Sequence, residues 1–448
     1  MSMQEAARVL GVDGQFADVT FSSVSHDTRT LMPGSLYVAL RGERLDGHEF
    51  IKDAIAKGAA GLLVDHEADY DLPSLVVPDT LLGLQLLASE WRSRFFCPVV
   101  GITGSNGKTT VKEMVGAILQ KAGQTLVTRG NYNNHIGVPL TLLELKPEHD
   151  FAVIEMGMNH AGELSQLTAM VRPNVVVINN AAAAHLEGLG SVENVARAKG
   201  EIIEGLNHNG IAILNGDDEF ISLWQQLAAT RQTLTFGFSE ACEVRGVDVV
   251  TGPENTMTVR HAGGEFELVL SVPGRHNLSN ALAASAVALS LDIDPDVIVQ
   301  VLKEFQGVKG RMQMLQHASG ACIIDDTYNA NPASLDAALQ VLAGRPGKKI
   351  LVLGDMGELG ADTAAMHLGV GERVASLGID QVLTMGNLTA ATSKAFGDNG
   401  HHFKQIDDLS KVARENLHRD TTMLIKGSRA MGMERLVKAL MEATEVAN

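Results

Sequence analysis

From Val99 onward, short apolar runs alternate with stretches whose apolar residues return at helical spacing. The runs are VVGITG, TLVTRG, FAVIEMG, VVVINN and GIAILNG, and TVKEMVGAILQKAG, AGELSQLTAMV and SVENVARAKGEIIEGL separate them. A run apolar on both faces reads as a buried strand, so the alternation predicts βαβ units on a parallel sheet. Between about Glu240 and Leu270 the period falls to two, in TMTVRHAG and EFELVLSV, which predicts an antiparallel addition. The helical LSNALAASAVALSL and PDVIVQVLKEF follow. Ahead of all this, SLYVAL and GLLV bracket a helical segment with apolar positions at Phe50, Ile51, Ala54 and Ile55, a small α/β module. The glycine-rich GVKGR, Gly307 to Arg311, breaks the pattern. Beyond it ACIIDD, KKILVLGDM, QVLTMG and TMLIKGS alternate again with helices. Three α/β domains are predicted: a small N-terminal one over 1–96, a central parallel-sheet domain with the antiparallel addition over 97–309, and a Rossmann-like one over 310–448.

Composition agrees with that division. A length of 448 residues suits about three domains, and 45% hydrophobic residues allow each its own core. The longest uncharged, largely apolar stretch, Ala281 to Leu291, is too short for a membrane-spanning helix. The start, MSMQEAARVLGVDG, lacks a basic segment followed by an apolar block, so no secretion signal is predicted and a cytoplasmic location is expected. Cys97, Cys242 and Cys322 are scattered and unpaired by any CxxC spacing, which disfavours disulfides and structural zinc. A net charge of −17 disfavours nucleic acid as a partner. Nothing in the sequence predicts an oligomer, and a monomer is the expectation.

The chemistry begins at TGSNGKTT, Thr103 to Thr110, between an apolar strand and a helix. Gly104 and Gly107 let backbone N–H groups turn toward phosphate oxygens, with Ser105 and Asn106 between them, and the following helix adds its positive end. Lys108 would meet the terminal phosphates and Thr109 would offer a hydroxyl to Mg²⁺. The common phosphate-loop spacing asks for glycine at 102, where this chain has Ile102. Glu155 ends FAVIE, at the carboxyl edge where ligands gather, and is a metal-ligand candidate. His185 follows VVVINN in the same way, and chemistry alone leaves it open between structural and ligand roles. Spacing alone leaves Lys199, in VARAKGEII, an exposed helix lysine. A switch GTPase needs an NKxD segment, and none is present; a motor ATPase normally ends a strand in paired acids, and FAVIE offers one. An ATP-consuming synthesis is favoured.

These residues resemble the Mur ligases of bacterial peptidoglycan synthesis over essentially the whole chain. DTRTLMPGSLYVALRGERLDGHEF carries the likeness first. TGSNGKTTVKEM, GNYNNHIGVPLTLL, VIEMGMNHAGE, NNAAAAHLEGLGS, ARAKGEI and PGRHNLSNALAA carry it through the middle, and GRMQ, DDTYNANPAS, VLGDMGELG and KGSRAMGME to the end. The family loop is the shorter TG-x-x-GKT[TS], which accounts for Ile102. GNYNNHIGVPLTLL and DDTYNANP are similar to the member that joins D-alanyl-D-alanine to UDP-N-acetylmuramoyl-tripeptide. The resemblance implies ATP and two Mg²⁺ ions, with Thr109, Glu155, His185 and Lys199 at the metal site and Lys199 carried as a carbamate. It implies that Asn277 reads the adenine side, and that Arg311 and Asp326 meet phosphate and ribose when the third domain closes. Thr28, Arg29, Arg44 and Asp46 would hold the uridine diphosphate, and Asn133 and Asn134 would lie near the peptide. Asn329, Asn331, Lys426, Ser428 and Arg429 would receive D-alanyl-D-alanine. Catalysis would fall to Lys108, His185, Lys199 and Arg311, through an acyl phosphate. Another Mur-type or folylpolyglutamate-type ligase and a P-loop regulatory ATPase are the competing readings.

Overall fold

Alternate residues of the apolar runs go to opposite faces of the central sheet, and both faces are covered. Val100, Val153, Val175 and Val177 pack on one side against the helices Lys108–Ala122 and Arg275–Ser290. Val99, Ala152, Ile154, Val176 and Ile178 pack on the other, with the helices Glu163–Val171 and Val192–Gly200. Burial on both faces is why these strands read as continuous apolar runs. The computed structural model describes residues 1–442 except 15, 17, 18, 43 and 253. Among them lie three sheets.

The first sheet has four parallel strands in chain order, Ser23–Ser25, Ser35–Val38, Gly61–Val64 and Ser74–Val76. Its helical segment takes in the apolar positions Phe50, Ile51, Ala54 and Ile55: a 3₁₀ turn over Gly47–Phe50 leads into Ile51–Ala56. Asp46 caps that turn through the His48 N–H. The long helix Thr80–Arg92 then leaves the module and docks on the middle domain. The Arg92 guanidinium is buried there, donating to the carbonyls of Val171, Phe95 and Arg172.

The second sheet has nine strands. Its order is Gly264–Leu270, Asn255–His261, Val244–Val250, Gln232–Gly237, Ile211–Asn215, Val175–Ile178, Val99–Thr103, Phe151–Glu155 and Thr125–Val127. Only the pairings among residues 244–270 are antiparallel, the predicted addition. Asn255–His261 shows the alternation that a one-sided sheet requires, with Met257 and Val259 inward. After Val99–Thr103 the chain runs to the edge, returns beside it, and then crosses to its other side. That strand is therefore the topological switch point, where a crevice opens at the carboxyl ends.

The third sheet runs Gln313–Gln316, Cys322–Asp326, Thr421–Lys426, Lys348–Gly354, Gln381–Met385 and Gly400–Phe403, parallel except for the first strand. Gln313–Gln316 and Gly400–Phe403 escape the hydrophobic pattern because both are edge strands with polar, half-buried residues. No helix among the described residues is long and apolar enough to cross a membrane.

Candidate active site

The loop after Val99–Thr103 sits at the switch point. Gly104 has φ +156° and Gly107 φ +79°, and a Cβ on Gly107 would lie 2.4 Å from Asn280 Oδ1 and 2.5 Å from Asn179 Nδ2. Only glycine fits. No side chain caps the helix that starts at Lys108, so its first N–H groups remain free to receive an anion. The segment that follows Val175–Ile178 braces the loop. Ser105 N–H donates to Asn180 O at 2.9 Å, Asn106 N–H to Asn180 Oδ1 at 2.8 Å, and Ala182 N–H to Ser105 Oγ at 2.9 Å. Lys108 Nζ folds back on the loop, donating to Gly104 O at 2.6 Å and Ser105 O at 3.3 Å. Burial pushes its pKa down to about 8; Glu155 and Glu358 oppose the shift and Arg311 adds to it. Thr109 and Thr110 occupy the first helical turn, and both are buried.

Glu155 emerges at the end of Phe151–Glu155 with 1% exposure. Asn133 Nδ2 donates to its Oε1 at 2.6 Å, while Oε2 is buried without a partner. A carboxylate oxygen left orphaned inside a protein is costly, and a hard cation relieves that cost. His185 caps a short turn, Leu186–Leu189, with φ +57°. Its Nδ1 lies 2.7 Å from Glu358 Oε2 of the third domain but out of hydrogen-bond alignment. Lys199 is not exposed, as its spacing suggested: it is 1% exposed in Val192–Gly200. Burial first, and the Lys108 charge second, push its amine well below the ordinary lysine range. Glu155 Oε2 and His185 Nδ1 are thus both buried without a hydrogen-bond partner, and such atoms fit a cation.

Asparagines that sequence reasoning did not single out connect these parts. Asn280 Nδ2 donates to Asn277 Oδ1 at 3.1 Å, and Asn179 Nδ2 to Asn280 Oδ1 and Asn106 O, both at 2.9 Å. Asn280 falls one helical turn after Asn277, a spacing that could have flagged it. Across the domain boundary, Asn331 Nδ2 donates to Asn106 Oδ1 at 2.8 Å. Asn331 also caps the helix Pro332–Ala343.

The third domain faces the loop with Arg311, whose guanidinium lies 4.2 Å over the Tyr328 ring. Asp326 Oδ1 accepts from Met312 N–H, and its Oδ2 takes the Lys426 ammonium at 2.5 Å. Lys426 also donates to Asn329 O at 2.9 Å and is 2% exposed, so its charge is already matched. Arg429 pairs with Glu434 at 2.9 Å. Between the domains is a cavity of about 1190 Å³. Of the expected residues, Ser105–Lys108, Thr110, Asn133, Asn134, Glu155, His185, Asn277, Arg311, Asp326, Asn329, Asn331, Lys426, Ser428 and Arg429 line it. Thr103, Gly104, Thr109 and Lys199 do not line it.

The first-domain residues are elsewhere. Arg29 is exposed and grips Asp27, Thr28 O accepts from Lys57 Nζ, and Arg44 is exposed. Asp46 bridges Arg41 and His48. Nearby, His48, Asp65 and His66 form the one three-residue group of His, Cys, Asp or Glu side chains among the described residues that could share an ion. Arg41 already grips both oxygens of Asp65, so the group reads as an ion-pair network.

Three family models match in order along the chain: "Mur ligase family, catalytic domain" over 20–84, "Mur ligase middle domain" over 102–288, and "Mur ligase, glutamate ligase domain" over 310–429. The UDP-N-acetylmuramoyl-tripeptide–D-alanyl-D-alanine ligase of Escherichia coli K12 is 45% identical over 448 residues, covering 99% of this chain and 98% of its own. Among solved structures, MurF from Acinetobacter baumannii superposes with a TM-score of 0.90 at 34% identity, over 98% of each chain. MurF ligase from Thermotoga maritima in complex with ADP superposes at 0.84 and 27% identity, over 97% of this chain and 100% of that one. The chain belongs to the Mur ligase family.

Proposed function

We propose that this protein is the ATP-dependent ligase that joins D-alanyl-D-alanine to UDP-N-acetylmuramoyl-tripeptide, forming the pentapeptide precursor of peptidoglycan. The carrying observation is the cavity itself. It sets a phosphate loop, a buried carboxylate with an orphaned oxygen and third-domain cations around a space large enough for nucleotide phosphates and two peptide ends. The Escherichia coli relative described above is named as a ligase of this specificity.

A free carboxylate does not condense with an amine at neutral pH, because its leaving group is poor. ATP activates it: a tripeptide carboxylate oxygen attacks the γ-phosphorus, the bond to ADP breaks, and an acyl phosphate forms. The dipeptide's ammonium gives up a proton, the free amine attacks the acyl carbon, the bond to phosphate breaks, and the nitrogen's second proton leaves with the phosphate. Two anions must approach in the first step. Lys108 exchanges its carbonyls at Gly104 and Ser105 for phosphate oxygens, and Arg311 adds a second charge from the opposite wall, lowering the barrier where negative charge builds. Thr109, Glu155 and His185 would hold Mg²⁺, which supplies further neutralisation of phosphate charge when bound.

The carbamate at Lys199 belongs to this reading. A buried amine beside Lys108 is disfavoured as a cation; as the neutral base it can add CO₂ and release a proton, leaving a carboxylate where a positive charge would repel the metal. Residues 1–96 would bind the uridine diphosphate through Thr28, Arg29, Arg44 and Asp46. Residues 97–309 would bind ATP, with Asn277 toward the adenine, and residues 310–448 would bring Arg311, Asp326 and the dipeptide subsite. Closure over the acyl phosphate would keep water from hydrolysing it.

The test is phosphate release with Mg-ATP and UDP-MurNAc-tripeptide, with and without D-alanyl-D-alanine. Release that needs both substrates is expected. Turnover indifferent to the dipeptide sinks the reading.

A further inference from the structure

D-Alanyl-D-alanine reaches the cavity as a zwitterion, so its subsite needs an anion as well as a cation. Five carboxylates line the cavity: Asp79, Glu155, Glu163, Asp326 and Glu358. Four are committed. Asp79 caps the helix Thr80–Arg92 through the Leu81 and Leu82 N–H groups, and Glu163 accepts from Asn159 N–H at 2.7 Å. Asp326 is neutralised by Lys426, and Glu155 is 1% exposed, with one oxygen on Asn133 and the other the candidate metal ligand.

Glu358 differs. Its side chain is 57% exposed, and among the described residues it meets no lysine or arginine ion-pair partner, only the imidazole of His185. Its backbone has φ +62°, a conformation uncommon for a side chain of this size, and a Leu186 N–H bond to its carbonyl at 3.1 Å holds it there. The loop that carries it runs beside the expected dipeptide residues: Ser428 N–H donates to Asp355 O at 2.9 Å, and a Cβ on Gly357 would lie 3.8 Å from Ser428 Cβ. Glu358 thus stands where the third-domain subsite meets the phosphate side of the cavity, close enough to Lys108 for the two charges to act on each other.

We infer that Glu358 anchors the ammonium of the incoming D-alanyl-D-alanine, holding the amine at the phosphate end of the cavity while Arg429 faces the dipeptide's carboxylate. This rests on the ligase reading above and names the group that selects a free amino terminus. A carboxylate within reach of the Lys108 charge also offsets a field that would otherwise repel the amine. It is a catalytic residue in the sense that it touches the substrate.

The test varies D-alanyl-D-alanine at saturating Mg-ATP and UDP-MurNAc-tripeptide, in the wild type and in Glu358→Gln and Glu358→Asp. D-Lactoyl-D-alanine, with a hydroxyl in place of the ammonium, serves as competitive inhibitor. Glu358→Gln should raise the dipeptide KM about tenfold to a hundredfold, with the ATP KM held within about twofold, and Glu358→Asp should recover part of the loss. The wild type should bind the hydroxyl compound at least about tenfold more weakly than the dipeptide, and Glu358→Gln should lose that preference. A dipeptide KM that stays put, KM values that rise together, or a wild type blind to the ammonium each overturn the inference. A wild type with no dipeptide-dependent phosphate release overturns the ligase reading first, and the anchor with it.

Discussion

Lys108 is the residue where function and stability pull apart. Its Nζ sits in the cavity with a pKa of about 8, against 10.5 for an unperturbed lysine, because burial disfavours the cation. The unfolded chain therefore binds more protons than the folded one between pH 8 and 10.5, and folding stability gains with pH across that window. Below pH 8 the penalty is present in full. Lys108→Met has no such group, so the unfolding temperature of the wild type should rise relative to the variant as pH goes from 7 to 10. Calorimetry at several pH values checks the slope, and a difference that is flat or falls with pH contradicts the burial argument. The same substitution should lower dipeptide-dependent phosphate release by about a hundredfold or more, since the charge acts where the transition state is most negative. Lys108 was legible in the sequence because a strand, two glycines and a helix frame it. The match between Lys426 and Asp326 was not: a hundred positions separate them, and only the parallel pairing of Cys322–Asp326 with Thr421–Lys426 brings them together. Spacing alone also hid the burial of Lys199, because a single lysine on a short helix carries no mark of burial.

At the scale of elements, the loop between Val99–Thr103 and Lys108–Ala122 is held by its neighbours as much as by its own glycines. Gly107→Ala keeps helix propensity but forces φ +79° on a residue with a side chain and drives its Cβ into Asn179 and Asn280. The loop must move to relieve that contact, taking its N–H groups off the phosphate positions. Nucleotide affinity should fall about tenfold or more while circular dichroism still reports the native helix content. An unchanged ATP dissociation constant by calorimetry would show that the asparagine bracing gives way instead. The strand–loop–helix unit was readable because buried parallel strands are apolar on both faces. The edge strands Gln313–Gln316 and Gly400–Phe403 were not, since an edge needs no continuous apolar run. The bracing asparagines Asn179 and Asn180 went unseen because the loop they hold lies more than seventy positions away, whereas Asn280 was within reach through its one-turn spacing from Asn277.

One of the contacts that join the domains can be separated from local stability. Asn331 both caps Pro332–Ala343 through its side-chain oxygen and donates across the domain boundary to Asn106 at 2.8 Å. Asn331→Ala removes both functions. Asn331→Asp retains a capping oxygen but replaces the bridging donor with a carboxylate that faces the Asn106 oxygen. The alanine variant should lose about 1 kcal/mol of third-domain stability with the cap, and the aspartate variant should keep most of it. Both should loosen the third domain from the phosphate loop, seen as a larger radius of gyration by small-angle scattering and a higher KM for ATP. If Asn331→Asp matches the wild type in both measurements, the bridge to Asn106 contributes nothing to closure, and the contact between Glu358 and the His185 turn must hold the domains. That second contact also binds through backbone, Leu186 N–H to Glu358 O, so it survives either substitution at Asn331. A variant that remains partly closed would therefore assign the residual docking to the loop that also presents Glu358 to the dipeptide.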